Sequence, residues 1–78
     1  MLKFALLGIL NYSAMNGYEL KQFMDVSTGH FWYAKLSQIY MTLKTLEKEG
    51  LLTSEIQPPE DRLGRRVYTI TEAGRTAL

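Results

Sequence analysis

Between residues 36 and 49 the chain carries Ser37, Gln38, Met41, Lys44, Thr45 and Lys48, a set suited to a polyanion with readable edges. At ~100° per residue these side chains fall on one side of a helix. Leu36, Ile39, Leu43 and Leu46 recur at steps of three, four and three, and so stack along the other side. The outer side holds hydrogen-bonding and cationic groups and no acid, since Glu47 falls near the apolar stripe and Glu49 at the helix end. The Gln38 amide can pair with an adenine edge through both of its groups, and the hydroxyl of Ser37 or Thr45 can donate or accept at several base edges. Lys44 and Lys48 offer point charges to phosphates, which adds affinity without sequence information. Met41 is the apolar member; it suits a thymine methyl or, equally, another protein. An ordinary solvated helix surface is the plain alternative for the whole face.

A second group of cations follows. Arg62 lies within, and Arg65 and Arg66 directly follow, a stretch, Pro58 to Gly64, that cannot continue a central strand and reads as a hairpin tip. Guanidinium forks there can straddle phosphates or enter a minor groove. Glu60 and Asp61 could also simply balance them in solvent. Two tyrosines are open to both structural and contact roles: Tyr40 at the edge of the apolar stripe, and Tyr18 beside Gly17, where a helix N-terminus can present backbone N–H groups to a phosphate.

Other chemistries find little support. The chain has no cysteine, which removes disulfides, thiolate metal sites and cysteine nucleophiles. Its single histidine, His30, sits among aromatics, and no paired acids, phosphate-binding glycine motif or metal-ligand cluster accompanies it. The expectation is a protein that is not an enzyme and needs no cofactor or metal.

These side chains need a scaffold, and 78 residues allow one compact domain. The balance of nine basic and eight acidic residues gives a net charge of only +1, so any polyanion partner must be met by local asymmetry. The glycines and Pro58-Pro59 divide the chain into short elements. A first helix is predicted over about 2–13, with Leu2, Leu6, Ile9 and Leu10 inward, then a break at 13–17. A second helix is predicted over about 17–27, with Leu20, Phe23, Met24 and Ser27 on its stripe and Gly29 ending it. Phe31-Trp32-Tyr33 reads as a lid on the core, or as the lining of an apolar pocket for a small molecule. The third helix spans about 36–49. Strands follow over about 51–57 and 65–71, and Thr71 can cap a fourth helix starting at Glu72. Phe4 to Leu10 is too short to cross a bilayer and lacks a cleavage pattern, so a core helix and a cytoplasmic protein with no membrane partner are expected. The fold class is mainly α with a small β-hairpin: a winged helix-turn-helix of three helices, a two-stranded wing (about 57–66 around its tip) and the start of a fourth helix.

The residues also resemble a known family. Asn16-Gly17-Tyr18-Glu19-Leu20 is similar to the HGYEL segment of PadR-like regulators. Phe31-Trp32-Tyr33-Ala34, Gln38-Ile39-Tyr40 and the run Leu43 to Leu51 resemble their FWxA…QIYxxLxxLExEGL pattern. Gly64 to Gly74 resembles their GRRRxYxITxxG wing and exit. Asn16 departs from the usual His, Leu36 from a frequent Pro, and Met41 from Pro or Arg, so no operator preference carries over. The resemblance implies a DNA-binding transcription factor, usually a repressor, that acts as a homodimer on a palindromic operator. It further implies a recognition helix at about 36–49 and a wing in the hairpin. C-terminal helices that build the dimer, and in some members an effector site, are expected to lie outside residues 1–78. The competing expectation is a winged helix that binds protein and not DNA.

Overall fold

In a computed structural model the chain folds as α1 (Leu2–Tyr12), β1 (Met15–Asn16), α2 (Gly17–Ser27), α3 (Leu36–Lys48), β2 (Leu52–Ile56), β3 (Arg66–Ile70) and α4 (Glu72–Thr76). The structure describes residues 2–27, 34–57 and 66–78. The predicted aromatic lid at 31–33, His30, the Gly29 helix stop and the hairpin tip with Arg62 and Arg65 lie outside the described residues.

Helix α1 lies at the centre, against α2, α3, α4 and β3. Leu6, Leu7 and Leu10 are buried, while Leu2 and Ile9 are only half-buried. The sequence stripe omitted Leu7 because it assumed one apolar side, whereas α1 is covered from several directions. Leu20 and Met24 of α2, Ile39, Leu43 and Leu46 of α3, and Leu52, Tyr68 and Ile70 of the sheet complete the core around it. Each fully buried aliphatic side chain contributes about 1.5–3 kcal/mol. Phe23 stays half-buried, its ring centroid 6.0 Å from that of Tyr12 on α1.

The sheet has three strands, in the order β1-β3-β2, and so exceeds the expected two-stranded wing. Met15 and Asn16, read from sequence only as a break, pair antiparallel with Tyr68 and Val67. Two residues are too few to show an alternating pattern; the pairing is supplied by the otherwise open edge of β3. On the other side Leu52 pairs with Ile70 and Ile56 with Arg66, in antiparallel register. The alternation of β3 is as expected. Tyr68 and Ile70 are buried, and Thr69 on the other face is exposed.

Two local devices set the ends of the elements that matter most. Helix α3 stops at Gly50, whose φ of 80° suits a residue without Cβ. There the Gly50 N–H donates to the Glu47 carbonyl at 3.0 Å, and the Leu51 N–H to the Leu46 carbonyl at 3.0 Å, closing the helix and turning the chain into β2. Thr71 caps α4 as predicted. Its Oγ1 accepts from the Gly74 N–H at 3.1 Å and donates to the Gly50 carbonyl at 2.8 Å, tying α4 to the end of α3.

Gly74 is buried in this corner, and a Cβ there would run into the Leu51 carbonyl and the Ile70 side chain. Backbone cannot swing aside as a side-chain tip can. Gly74→Ala is therefore expected to destabilise the domain by about 1–3 kcal/mol through overpacking, read as a lowered thermal midpoint.

Candidate nucleic-acid interface

The start of α2 and the whole of α3 position the candidate side chains. Asn16 and Glu19 form a reciprocal capping box: the Glu19 N–H donates to Asn16 Oδ1 at 2.8 Å, and the Asn16 N–H to Glu19 Oε1 at 2.9 Å. Sequence reasoning treated Asn16 as part of a break and as a departure from a family pattern, although an Asn followed three residues later by Glu is a legible start signal. This cap fixes Gly17 at the first helical position and Tyr18 beside it.

Gly17 is buried because the Tyr40 ring lies over it: a Cβ would sit 2.5 Å from Tyr40 Cζ. Tyr18 is 41% exposed and meets Tyr40 edge-on, with centroids 6.4 Å apart and planes at 82°. The two tyrosines thus bridge the α2 start and the side of α3. Tyr40 is half-buried, as its place at the stripe edge suggests. Its phenol is pushed above the ordinary range, first by burial and then by the neighbouring Tyr18. Tyr68 is likewise pushed up by burial, with Glu47 and Tyr40 adding and Arg66 opposing. Both hydroxyls remain protonated near neutrality and are available as donors. Because the folded state holds these protons more tightly than the unfolded chain, their contribution to stability is intact below the unfolded value of about 10 and is lost as pH rises toward the raised folded values. The thermal midpoint should be insensitive to these groups near neutrality and fall as pH rises past about 10, with a shallower fall in Tyr68→Phe.

On α3 the outward assignment holds residue by residue. Ser37, Gln38, Met41, Lys44, Thr45 and Lys48 are all exposed, and Ile39, Leu43 and Leu46 are buried. Met41, 71% exposed, stands at the middle of this face. Neither nearby acid projects into it. Glu49 at the helix end approaches Lys3 of α1 at 3.7 Å, and Glu47 is half-buried and accepts from Ser54 Oγ at 2.8 Å. The Thr45 hydroxyl donates to the Met41 carbonyl at 3.1 Å, which leaves its lone pairs facing outward.

Arg66 lies in the second predicted strand, as expected, but makes a contact that the hairpin reading did not anticipate. It begins β3 on the same face as Tyr68 and Ile70, and its guanidinium donates to Ser54 Oγ at 2.9 Å. Ser54 passes the contact on to Glu47, so a relay of Arg66, Ser54 and Glu47 joins the root of the wing to α3. A groove of about 360 Å3 runs here, lined by Tyr40, Lys44, Glu47, Arg66 and Tyr68. Tyr40, Lys44 and Glu47 follow one another at four and three residues along α3, which places them on the flank nearest β3. Arg66 is exposed and gathered with Lys44 and Tyr40; Arg62 and Arg65 lie outside the described residues. Ser54 and Glu47 carried no sequence signal for this link, since it depends on the register that sets Ser54 opposite Tyr68.

The arrangement is one helix with an acid-free exposed face, flanked by a short sheet with Arg66 at its root. Comparison with known proteins shows where it belongs. The transcriptional regulator PadR-like family matches residues 6–78. The chain belongs to the PadR-like family.

Among its relatives, the negative transcriptional regulator PadR of Bacillus subtilis is 37% identical over 78 residues. The match covers 100% of this chain and 43% of that protein, so the chain spans about two fifths of its PadR relative. The crystal structure of B. subtilis PadR with operator DNA superposes with a TM-score of 0.88 at 38% identity, over 99% of this chain and 44% of that one. The same protein solved with p-coumaric acid gives a TM-score of 0.78 at 36% identity, over 99% of this chain and 38% of that one. The virulence activator AphA of Vibrio cholerae gives 0.79 at 32% identity, over 100% of this chain and 41% of that one. These likenesses make the architecture that of a PadR-like winged helix, with α3 in the recognition-helix position of the motif. Among the described residues no helix is long and apolar enough to cross a membrane.

Proposed function

We propose that this chain is a sequence-specific DNA-binding domain of a transcriptional regulator, inserting α3 into the major groove of duplex DNA. The observation that carries the reading is the outer face of α3, where every exposed side chain from Ser37 to Lys48 that faces away from the core is hydrogen-bonding, cationic or, at Met41, apolar, and none is acidic. Ser37, Gln38, Met41 and Thr45 face base edges; Lys44 and Lys48 face phosphates. Tyr18, Tyr40 and Arg66 contact the backbone beside the groove, and Arg62 and Arg65 extend that contact along the wing. The regulator acts as a homodimer whose paired α3 helices lie about 34 Å apart, one turn of duplex. A small-molecule effector is the further partner, by analogy with p-coumaric acid in the B. subtilis protein. Likeness to a negative regulator favours repression, although AphA carries the name of an activator on the same scaffold.

The exposed Met41 supports one other reading, a face that docks on protein. The two are separated by measuring binding of the chain, tethered as a tandem dimer, to a random duplex pool across a salt series. Salt-sensitive binding with a recovered palindromic preference supports the DNA reading. A folded tandem dimer that ignores duplex at low salt rejects it in favour of a protein partner.

A further inference from the structure

We infer that the Tyr68 hydroxyl, in the groove between α3 and β3, donates to a DNA phosphate, in a seat that Lys44 and Arg66 complete for one singly charged phosphodiester. The inference deepens the DNA-binding reading and rests on it.

By its burial Tyr68 is a core residue, only 6% exposed and packed in the cluster around α1. It nevertheless lines the groove of about 360 Å3 together with Tyr40, Lys44, Glu47 and Arg66. Its hydroxyl makes no hydrogen bond among the described residues. No buried side-chain polar atom among them lacks a partner, so this hydroxyl is not sealed in the core and reaches the groove. A tyrosine this buried ordinarily finds a partner for its O–H. Solvent serves that bond in the free protein, and the charges beside it say what serves it in a complex. Burial first, with Glu47 and Tyr40 adding and Arg66 opposing, keeps the phenol protonated, so it enters as a donor.

Those charges suit an anion. Lys44 and Arg66 both line the groove, and neither forms an ion pair among the described residues. Glu47 is the one acid in the lining. It accepts from Ser54 Oγ at 2.8 Å, and Arg66 donates to that same Oγ at 2.9 Å. Ser54 thus steadies both groups while standing between them, and the guanidinium keeps further N–H donors for a ligand. Two cations against one carboxylate leave a single positive charge in the lining. That matches a phosphodiester better than a doubly charged terminal phosphate. Lys44 also belongs to the exposed outer face of α3, so the groove opens beside the surface that meets DNA. A duplex entered by α3 presents its backbone along the flanks of that helix. The bond from Tyr68 is charge-assisted and carries no base information; it sets how deeply α3 sits.

The test scans a duplex recovered by the tethered dimer, with one methylphosphonate linkage at each phosphate in turn to remove its charge. Wild type, Tyr68→Phe and Lys44→Ala are compared under conditions where all are folded. Tyr68→Phe keeps the ring in the core, so its thermal midpoint at neutral pH should match that of the wild type. Its affinity for the unmodified duplex should fall on the order of tenfold, with base preference unchanged. At one phosphate per half-site the methylphosphonate penalty should be smaller in Tyr68→Phe than in the wild type, because part of what the charge attracts is already gone. Lys44→Ala should reduce the penalty at that same phosphate, and the penalties elsewhere should be those of the wild type. A Tyr68→Phe variant that binds like the wild type overturns the seat, as does one that weakens with an unchanged penalty profile. Penalties reduced at different phosphates in the two variants overturn it too. In each of these cases DNA reading by α3 stands. A folded tethered dimer that binds no duplex overturns both.

Discussion

Replacing Lys44 and Lys48 together with alanine is expected to weaken binding to every duplex alike and to flatten its salt dependence. Both side chains are exposed on α3, and among the described residues neither forms an ion pair with a carboxylate. If each neutralises one phosphate, the slope of log K against log salt should become shallower by about two, since each phosphate contact contributes roughly 0.9. The affinity loss is largest at low salt and shrinks as counterions compete. Base preference should survive, because phosphate contacts position the helix without reading sequence. Equilibrium titrations at several salt concentrations, against two unrelated duplexes, check both parts. A loss confined to one sequence would move these lysines from the backbone to the bases.

The second large effect concerns the scaffold. Leu43 is fully buried at the centre of α3, directly behind the outer face. Leu43→Ala removes that burial and leaves a cavity at the packing of α3 on α1, for a loss of about 2–5 kcal/mol. A domain of this size has roughly 4–12 kcal/mol in total, so the variant should be largely unfolded well below the wild-type thermal midpoint. Chemical denaturation at 25 °C measures the loss. Met41→Ala on the opposite side of the same helix should leave stability within about 0.5 kcal/mol, because the side chain is 71% exposed.

Much of this was legible in the sequence for a physical reason that differs from element to element. Helix α3 is amphipathic with a clean division, so period alone separates Leu43 from Lys44 and gives the exposed face correctly. The Thr71 cap and the glycine after α3 are local signals, read from a few neighbouring residues. What was missed depends on distant partners. Strand β1 exists because β3 offers an edge, and Leu7 is buried because α1 is enclosed on several sides. Arg66 turns toward Ser54 and Glu47 because the β2–β3 register brings them together. The Gln38 amide oxygen accepts from the Lys35 N–H because the helix starts one residue beyond a lysine. Sequence periodicity fixes which side chains look outward; it does not say which of their hydrogen-bonding groups are already used.

The claim that the outer face of α3 meets DNA is tested most directly by photocrosslinking. A benzophenone side chain placed at position 41, at the middle of that face, is compared with one at position 12, the last residue of α1. Met41 and Tyr12 are 71% and 78% exposed, so the two probes are similarly accessible. The tethered dimer should crosslink to duplex DNA from position 41 and not from position 12, with the yield falling as salt rises. Crosslinks from position 12 with none from position 41, in a folded protein that binds duplex, would contradict the account.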